Sequence, residues 1–134
     1  MRVAAKILPP PGRERADRLW IDATRDVQVA TAPAFGLLLA RDAADNVQRV
    51  QGGRLWQRMH LWAQGRGIAM QPLNQMAERA DREASLGIEP RFTRVLAGLA
   101  GAGAWHALMP FRLGHPTAPA RASPRRPVGD VLLV

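Results

Sequence analysis

The stretch from Asn46 to Gly67, NVQRVQGGRLWQRMHLWAQGRG, constrains the fold more than any other part of the chain. Apolar residues recur there at helical spacing and predict a long helix, with Asp45 or Asn46 as its N-cap and Gly65 and Gly67 at its end. The apolar positions are Val47, Val50, Leu55, Trp56, Met59, Trp62 and Ala63. This arc is too wide for one small sheet to cover, so the sequence predicts self-association through this helix.

Two adjacent glycines, Gly52 and Gly53, lie inside this predicted helix. Each costs about 1 kcal/mol relative to alanine in a helix interior. We therefore expect both glycines to allow close packing, either of another backbone or of a flat ligand.

Shorter elements alternate on both sides of the long helix and predict an α+β or α/β arrangement. Phe35 to Ala40 is continuously apolar and predicts a buried strand, and IAMQP predicts a short strand that turns at Pro72. WHALMPFRLG predicts a strand in which Pro110 marks an edge or a bulge. Three further helices are expected: 13–26, 77–87 and one opened by Pro90, the last with Phe92, Val95, Leu96 and Leu99 facing inward.

Several classes of chemistry have no support in the residues. The length of 134 residues is enough for one domain. The chain contains no cysteine, and its three histidines do not have metal-ligand spacing, so no metal site is expected. No Ser-His-Asp arrangement, paired-carboxylate site or phosphate loop is present. The longest apolar run, Val95 to Ala104, is half a membrane span, and no secretory signal is apparent, so we expect a cytoplasmic protein.

Net charge favours an anionic partner. The chain carries 19 basic against 11 acidic residues, a formal charge of +8. Nucleic acid, anionic lipid and a phosphate-bearing cofactor all fit such a charge, and so does a simple arginine-rich coding bias. Because the arginines are scattered and no nucleic-acid motif accompanies them, nucleic-acid binding is the less favoured reading.

The closing segment SPRRPVGDVLLV holds two arginines between two prolines. A planar guanidinium binds phosphate through two parallel hydrogen bonds. The flanking prolines reduce the entropy lost when the segment becomes ordered. The segment is therefore typical of an anion-binding clamp.

Four pieces, taken in order, resemble the C-terminal half of nitroreductase-family flavoproteins, in particular the Acg-like branch. They are GGRLWQRMHLWAQGRGIAMQPLNQ, PRFTRVLAGL, MPFRLGHP and SPRRPVGDVL, and the resemblance covers residues 34–134. It implies a partial nitroreductase-like α+β fold, an antiparallel-centred sheet wrapped by helices, with FMN held between two such units. Residues 1–33 are then an N-terminal arm and short helix.

The resemblance also implies roles for particular residues. Pro72, Leu73, Asn74 and Gln75 match the segment whose backbone faces the flavin ring. Many relatives have a Glu-Gly pair where this chain has Asn74-Gln75. In the closing segment Arg125 takes the position of the phosphate-binding arginine, Ser123 stands where many relatives have lysine, and Arg126 follows. The implied activity passes hydride from NAD(P)H through FMN to nitro or quinone acceptors.

The chain departs from the family at its start. Relatives have an Arg-Ser-x-Arg-like motif near the N-terminus, whereas GRERADR offers Arg13, Arg15 and Arg18 without the serine or the spacing. We therefore expect an incomplete flavin domain that pairs with a second copy or with a missing N-terminal half. The alternatives are a non-catalytic remnant that binds or sequesters flavin, or dimerises, and, less favoured, a basic nucleic-acid-binding module.

Overall fold

The elements expected from periodicity form an α+β arrangement in the computed structural model, which describes residues 12–101, 103–118, 126 and 128–132. In chain order they are α1 Arg13–Asp22, which continues as a π-helical segment Ala23–Val29, then β1 Ala34–Ala40, α2 Asn46–Gln64, β2 Ala69–Pro72, α3 Gln75–Leu86, α4 Arg91–Ala100, β3 His106–Gly114 and a 3₁₀ turn Val128–Asp130. The antiparallel sheet has the order β1-β3-β2. The α+β prediction is thus confirmed.

Pro110 lies in the central strand and pairs with Leu37, so the expected edge position is wrong, and a bulge-like irregularity lies two residues before Pro110 rather than at it. The register against β1 shifts between Leu38 and Leu39, which leaves Leu108 without a partner. The carbonyl of Pro110 accepts a hydrogen bond from the amide of Leu73 at 2.8 Å, just beyond the end of β2. In an antiparallel strand the N–H and C=O of one residue point to the same side. The side on which Pro110 lacks an N–H donor is therefore the side of β2, and β2 has already ended at Pro72, so no ladder hydrogen bond is lost there.

Helix α2 begins and ends where the sequence predicts. Asp45 is the N-cap, and its side chain accepts a hydrogen bond from the amide of Val47 at 2.8 Å. The pKa of Asp45 lies below its usual range, first because the side chain of Gln48 donates to it and then because the Val47 amide does. Gly65 is the C-cap, and Gly67 has a positive φ of 69° that favours glycine.

The two glycines of α2 differ in their surroundings. Gly52 is buried, and a Cβ there would lie 2.7 Å from Leu108 Cδ1 and 3.3 Å from Leu38 Cδ2. A Cβ on Gly53 would have nothing within 4 Å. The expected close packing is therefore confirmed for Gly52, which faces the sheet, whereas no part of the described chain packs against Gly53, where a flat ligand stays a prediction.

Replacing each glycine by leucine separates close packing from helix propensity. Gly52→Leu would force its side chain between Leu108 and Leu38, and overpacking of this kind costs about 1–3 kcal/mol. Gly53→Leu enters open space and should gain up to about 1 kcal/mol from helix propensity. Urea unfolding of both variants measures the two effects. Equal stabilities for the two variants would contradict the close approach of α2 to the sheet.

The buried core is small and centres on Phe111. Its apolar members, Leu38, Ala40, Ala63, Leu96, Ala107 and Phe111, come from β1, α2, α4 and β3. The Phe111 ring lies over Gly36, where a Cβ would come within 2.3 Å of it. Trp56 packs against Phe111 with ring centroids 5.2 Å apart. The ring of His60 stacks on the same Trp56 ring, with centroids 5.8 Å apart.

Much apolar surface stays exposed in the described part of the chain. Val95 and Leu99, expected to face inward, are 51% and 54% exposed, and Trp62 on α2 is 58% exposed. Val47, Val50, Leu55 and Leu61 are exposed on the same helix as Trp62. The inward placement of Val95 and Leu99 is wrong because β3 and α3 cover only the side of α4 that carries Leu96.

Side-chain hydrogen bonds to the backbone hold the outer helices in place. The buried carboxylate of Glu83 on α3 accepts a hydrogen bond from the Phe92 amide in the first turn of α4, at 3.0 Å. The guanidinium of Arg112 on β3 donates to the carbonyls of Val27 and Gln28 at 3.1 and 2.9 Å, and so ties the N-terminal helical segment to the sheet. Such charge-assisted hydrogen bonds are about twice as strong as neutral ones.

Candidate functional site

The turn from Pro72 to Gln75 joins the end of β2 to the start of α3. Pro72 is the last residue of β2, and Leu73 is fixed to the central strand through its hydrogen bond to Pro110. Asn74 is the N-cap of α3, and no side chain caps this helix. The first amides of α3 therefore have no acceptor from the N-cap side chain, and they carry the positive end of the helix dipole.

A cleft of 590 Å³ opens beside this turn. Its walls come from α2, α3, α4 and β3, and its lining is largely apolar or small, with Leu38, Gly53, Trp56, Ala77, Ala84, Leu96, Leu108 and Met109 among its members. Asn74 is part of the lining. The volume falls in the range of small-molecule sites, about 300–1,000 Å³.

The polar lining of the cleft carries more acid than base. Arg49 pairs with Asp81 through two hydrogen bonds of 3.0 and 2.6 Å and so links α2 to α3. Its Nε also donates to the carbonyl of Ala43 in the loop before α2. The carboxylates of Asp42 and Glu78 lie in the same lining. With Arg49 neutralised by Asp81, this cleft disfavours a phosphate and suits a neutral ring.

The predicted phosphate-binding segment falls mostly outside the described residues. Ser123 and Arg125 are not among them, and Arg126 is described as exposed. Of the sequence-predicted site residues, the structure therefore places Pro72, Leu73, Asn74 and Gln75 in one turn, and of these Asn74 lines the cleft.

A second, separate groove of 470 Å³ lies on the sheet beside the C-terminal half of α2. It is lined by Arg58, Met59, Trp62, Ala63, Ile68, Met70, Phe111 and Leu113. The guanidinium of Arg66 lies over the Trp62 ring, 3.8 Å from its centroid. The sequence marked Trp62 only as an apolar position of the predicted helix and did not indicate this groove; the available signal was the pair Arg58 and Arg66 on either side of the tryptophan.

Comparison with known proteins gives no relative for this chain. No protein-family model, no curated protein and no solved structure matches it. Over the described ranges, none of the helices has the length and apolar character needed to cross a bilayer. Within the same ranges, no three His, Asp or Glu side chains gather as a metal site would require.

Proposed function

We propose that the chain is a subunit, or one half, of an FMN-dependent oxidoreductase of the nitroreductase type. The observation that carries the proposal is the position of the Pro72–Gln75 turn. The uncapped start of α3 lies at the rim of a 590 Å³ cleft whose walls are mainly apolar. A flavin ring combines a flat apolar body with polar edge atoms, and backbone amides that lack a side-chain acceptor suit those atoms.

The described residues fit the ring end of FMN. Amides of Asn74 and Gln75 would donate to the ring edge, while Trp56, Leu96 and Met109 would supply apolar contact and exclude water. The acids Asp42 and Glu78 would keep the phosphate out of the cleft. The phosphate end would then be held by Ser123, Arg125 and Arg126, as the resemblance implies. When bound, FMN supplies the hydride chemistry between NAD(P)H and a nitro or quinone acceptor.

A second polypeptide unit is part of the proposal. Val47, Val50 and Leu61 leave an apolar face of α2 exposed, and such faces usually mark interfaces. We propose that a second copy, or a half that supplies the missing N-terminal arginines, covers this face and completes the flavin site. A cytoplasmic location, where NAD(P)H is available, belongs to the same proposal.

Titration with FMN tests the proposal. Purified protein should quench FMN fluorescence and shift the flavin absorption band. The apparent affinity should rise with protein concentration, because the complete site needs two units. Sedimentation at the same concentrations should show the matching change in mass. A protein that leaves FMN fluorescence unchanged at every concentration, with or without added NAD(P)H, would contradict the proposal.

A non-catalytic flavin-binding protein is the second candidate. It is favoured by the departure at the start of the chain, where Arg13, Arg15 and Arg18 lack the serine and the spacing of the family motif. The same titration separates the two functions: FMN bound to an oxidoreductase is reduced by NAD(P)H and reoxidised by a quinone, whereas FMN bound by a sequestering protein stays oxidised.

A further inference from the structure

The groove beside α2 is built differently from the cleft beside the Pro72–Gln75 turn. Its floor is formed by Phe111 and Leu113 of β3 and by Met70 of β2, and one wall by Met59 and Trp62 of α2. Methionine and tryptophan give a groove an adaptable apolar lining that can fit more than one shape of ligand. The volume of 470 Å³ is that of a small-molecule site rather than of a flat interface.

The charge around the groove is of one sign. Arg58 is the charged residue of its lining, and Arg66 sits over Trp62 at its edge. The sequence contains no aspartate or glutamate from Asn46 to Ala77. Among the described residues, the ion pairs found involve Arg18, Arg25, Arg49 and Arg94, and not Arg58. An apolar groove with an unneutralised guanidinium at its edge complements an anion.

We propose that this groove binds a small amphipathic anion, with its apolar body against Met59, Met70 and Phe111 and its carboxylate, sulfonate or phosphate group at Arg58. The groove shares no lining residue with the cleft beside the Pro72–Gln75 turn, so binding of the anion in the groove does not depend on FMN binding in the cleft. Burial of the ligand body removes apolar side chains from water, and Arg58 selects for negative charge.

Two fluorescent probes with the same aromatic body test the charge requirement. Anilinonaphthalene sulfonate is anionic, and N-phenyl-1-naphthylamine lacks the sulfonate. Arg58→Gln should weaken the anionic probe by about tenfold, as expected for loss of a charge-assisted hydrogen bond at an exposed site, and should leave the neutral probe unchanged. Arg54→Gln is the matched control, since Arg54 is exposed one turn earlier on α2 and does not line the groove.

A second variant tests the location. Met70→Gln keeps the side-chain length, makes the groove floor polar and should weaken both probes, with circular dichroism confirming that the fold is retained. Equal losses of both probes in Arg58→Gln, or equal effects of Arg54→Gln and Arg58→Gln, would overturn the proposal. Unchanged binding in Met70→Gln would place the probes elsewhere and overturn it as well. Displacement of the anionic probe by FMN at the same concentrations at which FMN fluorescence is quenched would assign the groove to the flavin site and overturn a separate site. Loss of probe binding as rising protein concentration forms dimers would show that a second copy covers the groove, and would overturn the proposal as well.

Discussion

Phe111→Ala is expected to lower the free energy of unfolding by about 3–5 kcal/mol, the usual cost of truncating a buried phenylalanine. Phe111 is 6% exposed, and its ring fills the space that Gly36 leaves on the neighbouring strand. It also packs against Trp56, so its loss opens a cavity between the sheet and α2. Because domains are stable by only about 5–15 kcal/mol, this one substitution should remove much of the total stability.

Phe35→Ala is the matched control for this prediction. Phe35 has the same side chain and lies on the strand that pairs with β3, but it is 52% exposed. Its replacement should cost well under half as much as that of Phe111, because less apolar area returns to water. Urea unfolding followed by tryptophan fluorescence measures both. If the two alanine variants lost equal stability, Phe111 would not be the centre of the core.

Local signals in the sequence are sufficient to find most elements. The cap Asp45 and the terminal Gly65 bound α2, Gly87 in a left-handed conformation ends α3, and the apolar run from Phe35 lies within β1. These signals act over a few residues, so they can be read without the fold. The order β1-β3-β2 places β3 beside β1, which lies more than sixty residues earlier in the chain, and periodicity carries no information on this pairing.

Coverage of a helix face also depends on the whole fold. Periodicity marks Trp56 and Trp62 equally as apolar positions of α2, yet Trp56 packs on Phe111 and Trp62 is exposed. Gly52 and Gly53 are adjacent, and only Gly52 meets the sheet. A pattern gives the direction of each side chain on its own helix, while the neighbouring elements decide which direction is inside.

The candidate site also has one part that could be predicted from the sequence and another part that could not. The Pro72–Gln75 turn could be predicted because strand, turn and helix start are consecutive in the sequence. The Arg49–Asp81 pair in the cleft and the Arg112 contacts to Val27 and Gln28 join residues 32 or more positions apart. Such pairs follow from tertiary packing, and the sequence gives no local sign of them.

Arg125→Ala is expected to weaken FMN binding by about ten- to a hundredfold, since a lost charge-assisted hydrogen bond costs about 1.5–3 kcal/mol. The resemblance places Arg125 at the phosphate, and the cleft lined by Asp42 and Glu78 disfavours a phosphate near the ring. Riboflavin has no phosphate, so its binding should hardly change in the same variant. Titration of both flavins against the variant and the unaltered chain measures the difference.

Arg126→Ala is the matched control, because it removes the same charge from the neighbouring position. Prolines at 124 and 127 favour an extended segment, in which successive side chains point to opposite sides. Arg126 should therefore matter less than Arg125 for FMN, although both contribute equally to the net charge of +8. A general attraction between a basic chain and an anion would weaken FMN equally in the two variants. Equal losses of FMN affinity in the two variants, or a larger loss in Arg126→Ala, would thus contradict the assignment of the phosphate contact to Arg125.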